Sequence, residues 1–203
     1  MKEFENLKRI ASSYKEDVDA LAVSYRAEVD RDANFRDDIR ESRAADRNAR
    51  FNAEISSKAA AAKEKAATEI AGLREKLHKY ITAPGDPAVL QTLQALLSSG
   101  VELTKEEIKV FSASGNYAVL RMLEKPSRGT VRPVRVEAYE VALGELTELF
   151  NNLSAYRGEL ASIGPGGYIV KYSTVGNSIM ESRVRNFPAK ADELAEMWGK
   201  LEV

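Results

Sequence analysis

Phe4, Leu7, Ala11, Tyr14, Val18, Leu21 and Tyr25 follow one another at intervals of 3, 4, 3, 4, 3 and 4 residues. This is the alternation of a coiled-coil seam, in which a and d positions face a partner helix. Continuing the same phase meets Glu28 and Asp32, which break the stripe, and then Phe35 and Ile39, which rejoin it. From Arg26 to Arg50, 14 of 25 residues are charged, so a helix there depends on side-chain pairs and partner packing. It is the place expected to fray, bend or bind. Beyond it, Phe51, Ile55, Ala59, Ala62, Ala66, Ile70, Leu73, Leu77 and Ile81 are spaced 4, 4, 3, 4, 4, 3, 4 and 4. An 11-residue repeat favours straight or slightly right-handed packing.

Residues 1 to 83 contain no proline and one glycine, Gly72, while the rest of the chain holds all six prolines. The pattern therefore predicts one nearly unbroken helix over residues 3 to 82, about 120 Å long at 1.5 Å per residue. Such a helix needs a partner. Phe4, Leu7, Tyr14, Val18, Leu21 and Tyr25 of the heptad half, with Phe51, Ile55, Ile70, Leu73, Leu77 and Ile81 of the 11-residue half, are the expected self-association contacts. Packing of this arm on the chain's own C-terminal helices is the alternative. In a parallel dimer, Asp38 would pair with Arg43 of the second copy, and Asp32 to Arg36 and Asp46 to Arg50 have the order of stabilising pairs along one helix.

The segment Thr82-Ala83-Pro84-Gly85-Asp86-Pro87 is the first break, with Asp86 and Pro87 as N-cap and first residue of a helix reaching about Ser99. Thr104 and Glu107 form a capping-box pattern for a short helix over about 105 to 113. Another is expected from Asn116 to Glu124. Val136, Tyr139, Leu143, Leu146, Phe150, Leu153 and Leu160 share one face of a helix predicted over 134 to 162. Gly164-Pro165-Gly166-Gly167 reads as a flexible turn, and Tyr168 to Tyr172 as extended coil or a helix start. A last amphipathic helix after Pro188 should bury Leu194, Met197, Trp198 and Leu201. The fold class is thus all-α: a long coiled-coil arm over 1–82 (heptad 4–25, charged 26–50, 11-residue repeat 51–81), a compact helical domain over 83–163, and a turn with a docking helix over 164–203.

Composition narrows the chemistry. The 203 residues carry 30 basic and 31 acidic side chains, so no net charge draws the chain to nucleic acid or anionic lipid. The absence of cysteine removes thiolate sites and disulfides and fits a reducing cytoplasm. The charged, periodic N-terminus MKEFENLKRI has no apolar run, so neither a signal peptide nor a membrane span is expected. His78, the single histidine, excludes a histidine metal cluster and leaves a serine triad without a base; a solvated helix position suits it. The Gly164 to Gly167 segment lacks the spacing of a dinucleotide loop. No catalytic residue, cofactor or metal is expected.

Two basic features remain. Arg36, Arg40, Arg43, Arg47 and Arg50 line one face of the arm at intervals of 4, 3, 4 and 3, with Asp37, Asp38, Glu41 and Asp46 interleaved. Lys125, Arg128, Arg132 and Arg135 surround the Pro126 to Pro133 loop, with no acid before Glu137. Both are candidates for contact with an anionic partner, though no interleaved aromatic offers a base a stacking surface. The expected function is a non-enzymatic structural or assembly protein that self-associates or docks through its arm. Its general build suits a bacteriophage scaffolding or virion structural protein, an analogy of architecture alone. A nucleic-acid-binding factor or adaptor using the basic patches is the alternative.

Overall fold

The structure, a computed structural model, describes residues 1–158 and 174–201. Within these the chain is all-α, with no strand. Seven α-helices follow in order: α1 (Lys2–Asp32), α2 (Asp37–Thr82), α3 (Pro87–Ser98), α4 (Lys105–Ser112), α5 (Tyr117–Glu124), α6 (Val136–Asn151) and α7 (Thr174–Gly199). A 3-10 turn at Leu153–Ala155 follows α6.

The arm is helical almost throughout, but it is not one rod. Residues 33–36 interrupt it, and α2 runs back along α1. Partners on the two helices approach in opposite order: Asn6 with Glu69, Asp17 with Lys58, Tyr25 with Asn48, and Glu28 with Arg50. The expected 120 Å span is therefore corrected to an antiparallel hairpin. The reason lies in the charged middle. With only Phe35 and Ile39 to continue the stripe, an extended helix would bury little there. Folding back instead gives each apolar stripe a partner in the same chain. No glycine or proline is needed: Ala33 and Phe35 donate backbone hydrogen bonds to Asp30 and Asp32, and Asp37 and Asp38 supply acids to the first turn of α2, where the helix dipole favours them.

The helices belong to two compact units, which do not divide at the 82/83 boundary expected from the prolines. One unit comprises residues 1–71 and 143–195, the other 72–142 and 196–203. In the first, α1, α2 and parts of α6 and α7 share a core. Phe4, Leu7, Tyr14 and Val18 are buried with Leu146, Phe150, Val184 and Phe187. Phe150 meets Phe187 edge to face at 5.7 Å, and the Tyr14 hydroxyl donates to the Leu153 carbonyl at 2.9 Å. Lys8 pairs with Asp192 at 2.7 Å, and Arg183 with Glu148 at 2.9 Å.

In the second unit, Leu93, Val119 and Leu123 form a core on which Val89, Leu90, Leu97, Leu103 and Phe111 pack. Its helix ends follow the sequence closely. Asp86 caps α3 by accepting from the Ala88 amide at 2.8 Å, Thr104 and Glu107 close a full capping box on α4, and Asn116 caps α5. Gly100 and Gly115 adopt positive φ at the ends of α3 and α4, a conformation glycine takes at little cost.

Three further expectations change. The helix predicted over 134 to 162 stops at Asn151, and Leu153 reaches the interior from the 3-10 turn. The last helix starts well before Pro188 and carries that proline inside it. Met197 and Leu201 are half-buried, while Leu194 and Trp198 are buried as expected. Leu160, the Gly164 to Gly167 turn and Tyr168 to Tyr172 lie outside the described residues.

Candidate functional site

Of the twelve expected self-association residues, Phe4, Leu7, Tyr14, Val18, Tyr25, Phe51, Ile55, Ile70, Leu73 and Leu77 are buried within the single chain. Leu21 and Ile81 are half-buried. What the hairpin leaves on its surface is the charged tip.

There the helices α1 and α2 hold a cleft of about 970 Å³ lined by Glu28, Arg31, Asp32, Phe35, Arg43, Asp46, Arg47 and Arg50. Its centre is Asp32, only 6% exposed, which accepts from Arg43 at 2.9 Å and from the buried Arg47. Burial works against ionisation of Asp32, but the hydrogen bonds and charges of Arg43 and Arg47 outweigh it and hold the carboxyl below its ordinary value of 3.8. Two guanidinium groups share this one carboxylate, so the triad carries surplus positive charge. Arg47 Nε is the one buried side-chain polar atom without a hydrogen-bond partner among the described residues. Arg50 pairs with Glu28 at 2.9 Å, and Arg31 donates to the Ala27 carbonyl at 3.3 Å.

Aromatic rings fix these cations. The Arg43 guanidinium sits 4.3 Å from the centre of the Phe35 ring, and that of Arg47 lies 5.3 Å from Tyr25, within the range of cation–π attraction. Tyr25 also packs on Phe51 at 5.3 Å and bonds Asn48. Phe35 and Ile39 stay exposed, at 41% and 40%.

The five-arginine face is thus divided. Arg43, Arg47 and Arg50 turn to the cleft, while Arg36 pairs with Asp38 at 2.8 Å and Arg40 with Asp37. These contacts correct the expected pairs. Within the chain Asp32 binds Arg43 and Arg47 and not Arg36, Arg50 reaches Glu28 and not Asp46, and Asp38 pairs with Arg36. Asp32 and Glu28 were legible only as breaks in the seam. The signal was their phase: an acid at a seam position points where apolar neighbours point, and a buried acid needs a cation beside it.

The second basic cluster stands in the other unit. Lys125, Arg128, Arg132 and Arg135 are all exposed around a turn held by Ser127, whose hydroxyl accepts from the Val131 amide at 3.0 Å. Arg128 reaches Glu102 at 3.3 Å, and Arg132 bonds the Gly129 carbonyl at 3.1 Å. His78 is exposed on α2. Among the described residues no group of three or more histidines, aspartates and glutamates could hold a metal ion, and no helix is long and apolar enough to cross a membrane. Comparison of the chain with family models, curated proteins and solved structures returned no match.

Proposed function

We propose that the protein is a non-enzymatic assembly protein that docks an acidic protein surface on the tip of its helical hairpin. The observation that supports this is the composition of the tip: Arg31, Arg43 and Arg50 stand around an open cleft with Glu28 and Asp46, over the buried Asp32–Arg47 pair, and Phe35 and Ile39 are exposed beside them. Arginine and aromatic residues dominate binding hot spots, because a guanidinium forks to carboxylates and a rigid ring buries large area at small entropy cost. Docking there uses a surface that is open as the protein stands. Self-association through the heptad and 11-residue stripes would first require the hairpin to separate. A scaffold or virion component, working in the cytoplasm or within an assembled particle, is the setting that this architecture suits.

The competing reading is a nucleic-acid-binding factor, favoured by the four exposed cations around the 125–135 loop. Anisotropy of a labelled poly-glutamate peptide and of a labelled DNA duplex, each titrated with the full chain, separates the two. The expected result is peptide binding that weakens with salt and is lost in Arg31→Glu and Phe35→Ser variants, with duplex binding weaker throughout. Duplex binding that dominates, and that falls when Arg128 and Arg132 are replaced by Glu, would reverse the assignment. No response from either probe at low salt would remove the tip as a docking site.

A further inference from the structure

Every charged residue from Lys125 to Arg135 is a cation, and every charged residue from Glu137 to Glu148 is an acid. The cations stand 11, 8, 4 and 1 residues before Val136, and the glutamates 1, 4, 9 and 12 residues after it. The order of charge is nearly antisymmetric about Val136. A second copy laid antiparallel across that point brings cation to acid on both sides at once.

The structure places both halves at the surface. All four cations and all four glutamates are exposed, the first on the 125–135 turn and the second on α6, which holds no lysine or arginine. They do not neutralise one another within the chain. Arg128 pairs with Glu102 and Glu148 with Arg183, whereas Lys125, Arg132 and Arg135, like Glu137, Glu140 and Glu145, have no ion-pair partner among the described residues. Arg132 and Arg135 also precede the positive end of α6, where the helix dipole disfavours cations, so the helix itself gives no reason for their position. The turn that carries them is held firmly. The hydroxyl of the buried Ser127 accepts from the Val131 amide at 3.0 Å, and its carbonyl accepts from the Thr130 amide at 3.1 Å and the Thr130 hydroxyl at 2.8 Å. A fixed turn presents its cations with little ordering left to lose on binding. Beside Glu137 and Glu140, Val141 is 61% exposed and offers an apolar contact.

We infer that the surface formed by the 125–135 turn and the start of α6 docks a second copy of the chain about a two-fold axis near Val136. Arg132 and Arg135 of each copy then meet Glu137 and Glu140 of the other. A two-fold contact must be self-complementary, and this surface carries both signs of charge in the order that the symmetry requires. An acidic peptide or a nucleic acid would use the cations alone and be repelled by the glutamates next to them. The contact is small and polar, of the weak and transient class. It uses no stripe residue of α1 or α2, so melting curves of the dilute protein report the monomer.

Sedimentation equilibrium of the full chain at low salt, from micromolar into millimolar concentration, tests the inference. The expected mass rises to twice that of one chain and no further, and the dimer is lost as salt is raised. Arg132→Glu with Arg135→Glu, and Glu137→Lys with Glu140→Lys, should each weaken self-association by about tenfold or more. Mixed in equal amounts, the two variants should dimerise again, because each acidic turn then faces a basic helix and each basic turn an acidic one. A variant that had merely lost its fold would not be rescued in this way. A monomer at every concentration, a mass that climbs past the dimer, association that neither reversal weakens, or a mixture that stays monomeric would each overturn the inference. So would a labelled DNA duplex bound by a monomeric wild type and released by the arginine variant, which would assign the turn to nucleic acid.

Discussion

The two roles open to the apolar stripes, gluing copies together or holding one copy shut, are separated by replacing Leu7 with Ala. Leu7 has no accessible surface within the single chain. The substitution removes about three carbon atoms from the core, roughly 2 kcal/mol of transfer free energy, and the remaining cavity raises the total to about 3 kcal/mol. For a chain of this size that lowers the melting midpoint by roughly 6–12 °C. Thermal unfolding followed by far-UV circular dichroism at two protein concentrations twentyfold apart provides the assay. A stripe that holds the monomer shut gives the wild type one midpoint at both concentrations, and Leu7→Ala the same drop at both. A stripe that joins two copies makes apparent stability rise by about 1.8 kcal/mol over that concentration range. The intramolecular assignment fails if the wild-type midpoint climbs with concentration and Leu7→Ala abolishes the climb. Val23→Ala, on the same helix but 71% exposed, is the control and should leave the midpoint within about 0.5 kcal/mol.

Three further outcomes are expected. The folded-state carboxyl of Asp32 is depressed, so its contribution is present above the ordinary value of 3.8 and is lost as pH falls through the lower folded value. The midpoint of an Asp32→Asn variant should start lower than wild type and approach it in strong acid, because Arg43 and Arg47 lose their partner in both; parallel acid limbs would refute this. Burial pushes the Tyr14 hydroxyl up to about 12, with the positive charge of Arg157 acting in the opposite sense. Its contribution is therefore complete below pH 10 and declines as pH rises toward 12, and Tyr14→Phe should flatten that part of the alkaline limb in a stability profile. Gly158 has φ of +55° and an added Cβ would lie 3.0 Å from Asp19 Oδ1. Gly158→Ala should cost about 1–2 kcal/mol in denaturant unfolding, and an unchanged midpoint would argue against this backbone geometry.

The helices were legible where the signal was local. Asp86 before Pro87, Thr104 three residues before Glu107, and Asn116 at the start of α5 are cap signatures, and each cap forms. The stripes of the arm were legible too, but their partner was not. A 3.5-residue or 3.67-residue period shows that a helix has an apolar face; it carries no information on whether the face is met by another molecule or by the same chain turned back. The turn at 33–36 lacks glycine and proline, so its only trace was the dilution of apolar residues between Arg26 and Arg50. Pro188 misled in the opposite way. Proline is common in a first helical turn, but in α7 it sits within a helix already under way, where it cannot donate to the preceding turn. The arginine face could be read as a row, whereas its division between cleft and surface depended on where Glu28 and Asp32 arrived from the other helix.

The order in which the first unit is assembled along the chain matters for synthesis. Its two segments are separated by the whole of residues 72–142, and the Lys8–Asp192 contact joins positions 184 residues apart. A ribosome moving at 5–20 residues per second takes roughly 6–25 s to travel from residue 71 to residue 195. Throughout that interval the hairpin carries its apolar core face without the C-terminal segments that later share it. Two nascent chains on neighbouring ribosomes could exchange those segments, each completing the other's core. The yield of correctly closed monomer then depends on translation speed and on the spacing of ribosomes along the message, and not only on the final stability of the fold.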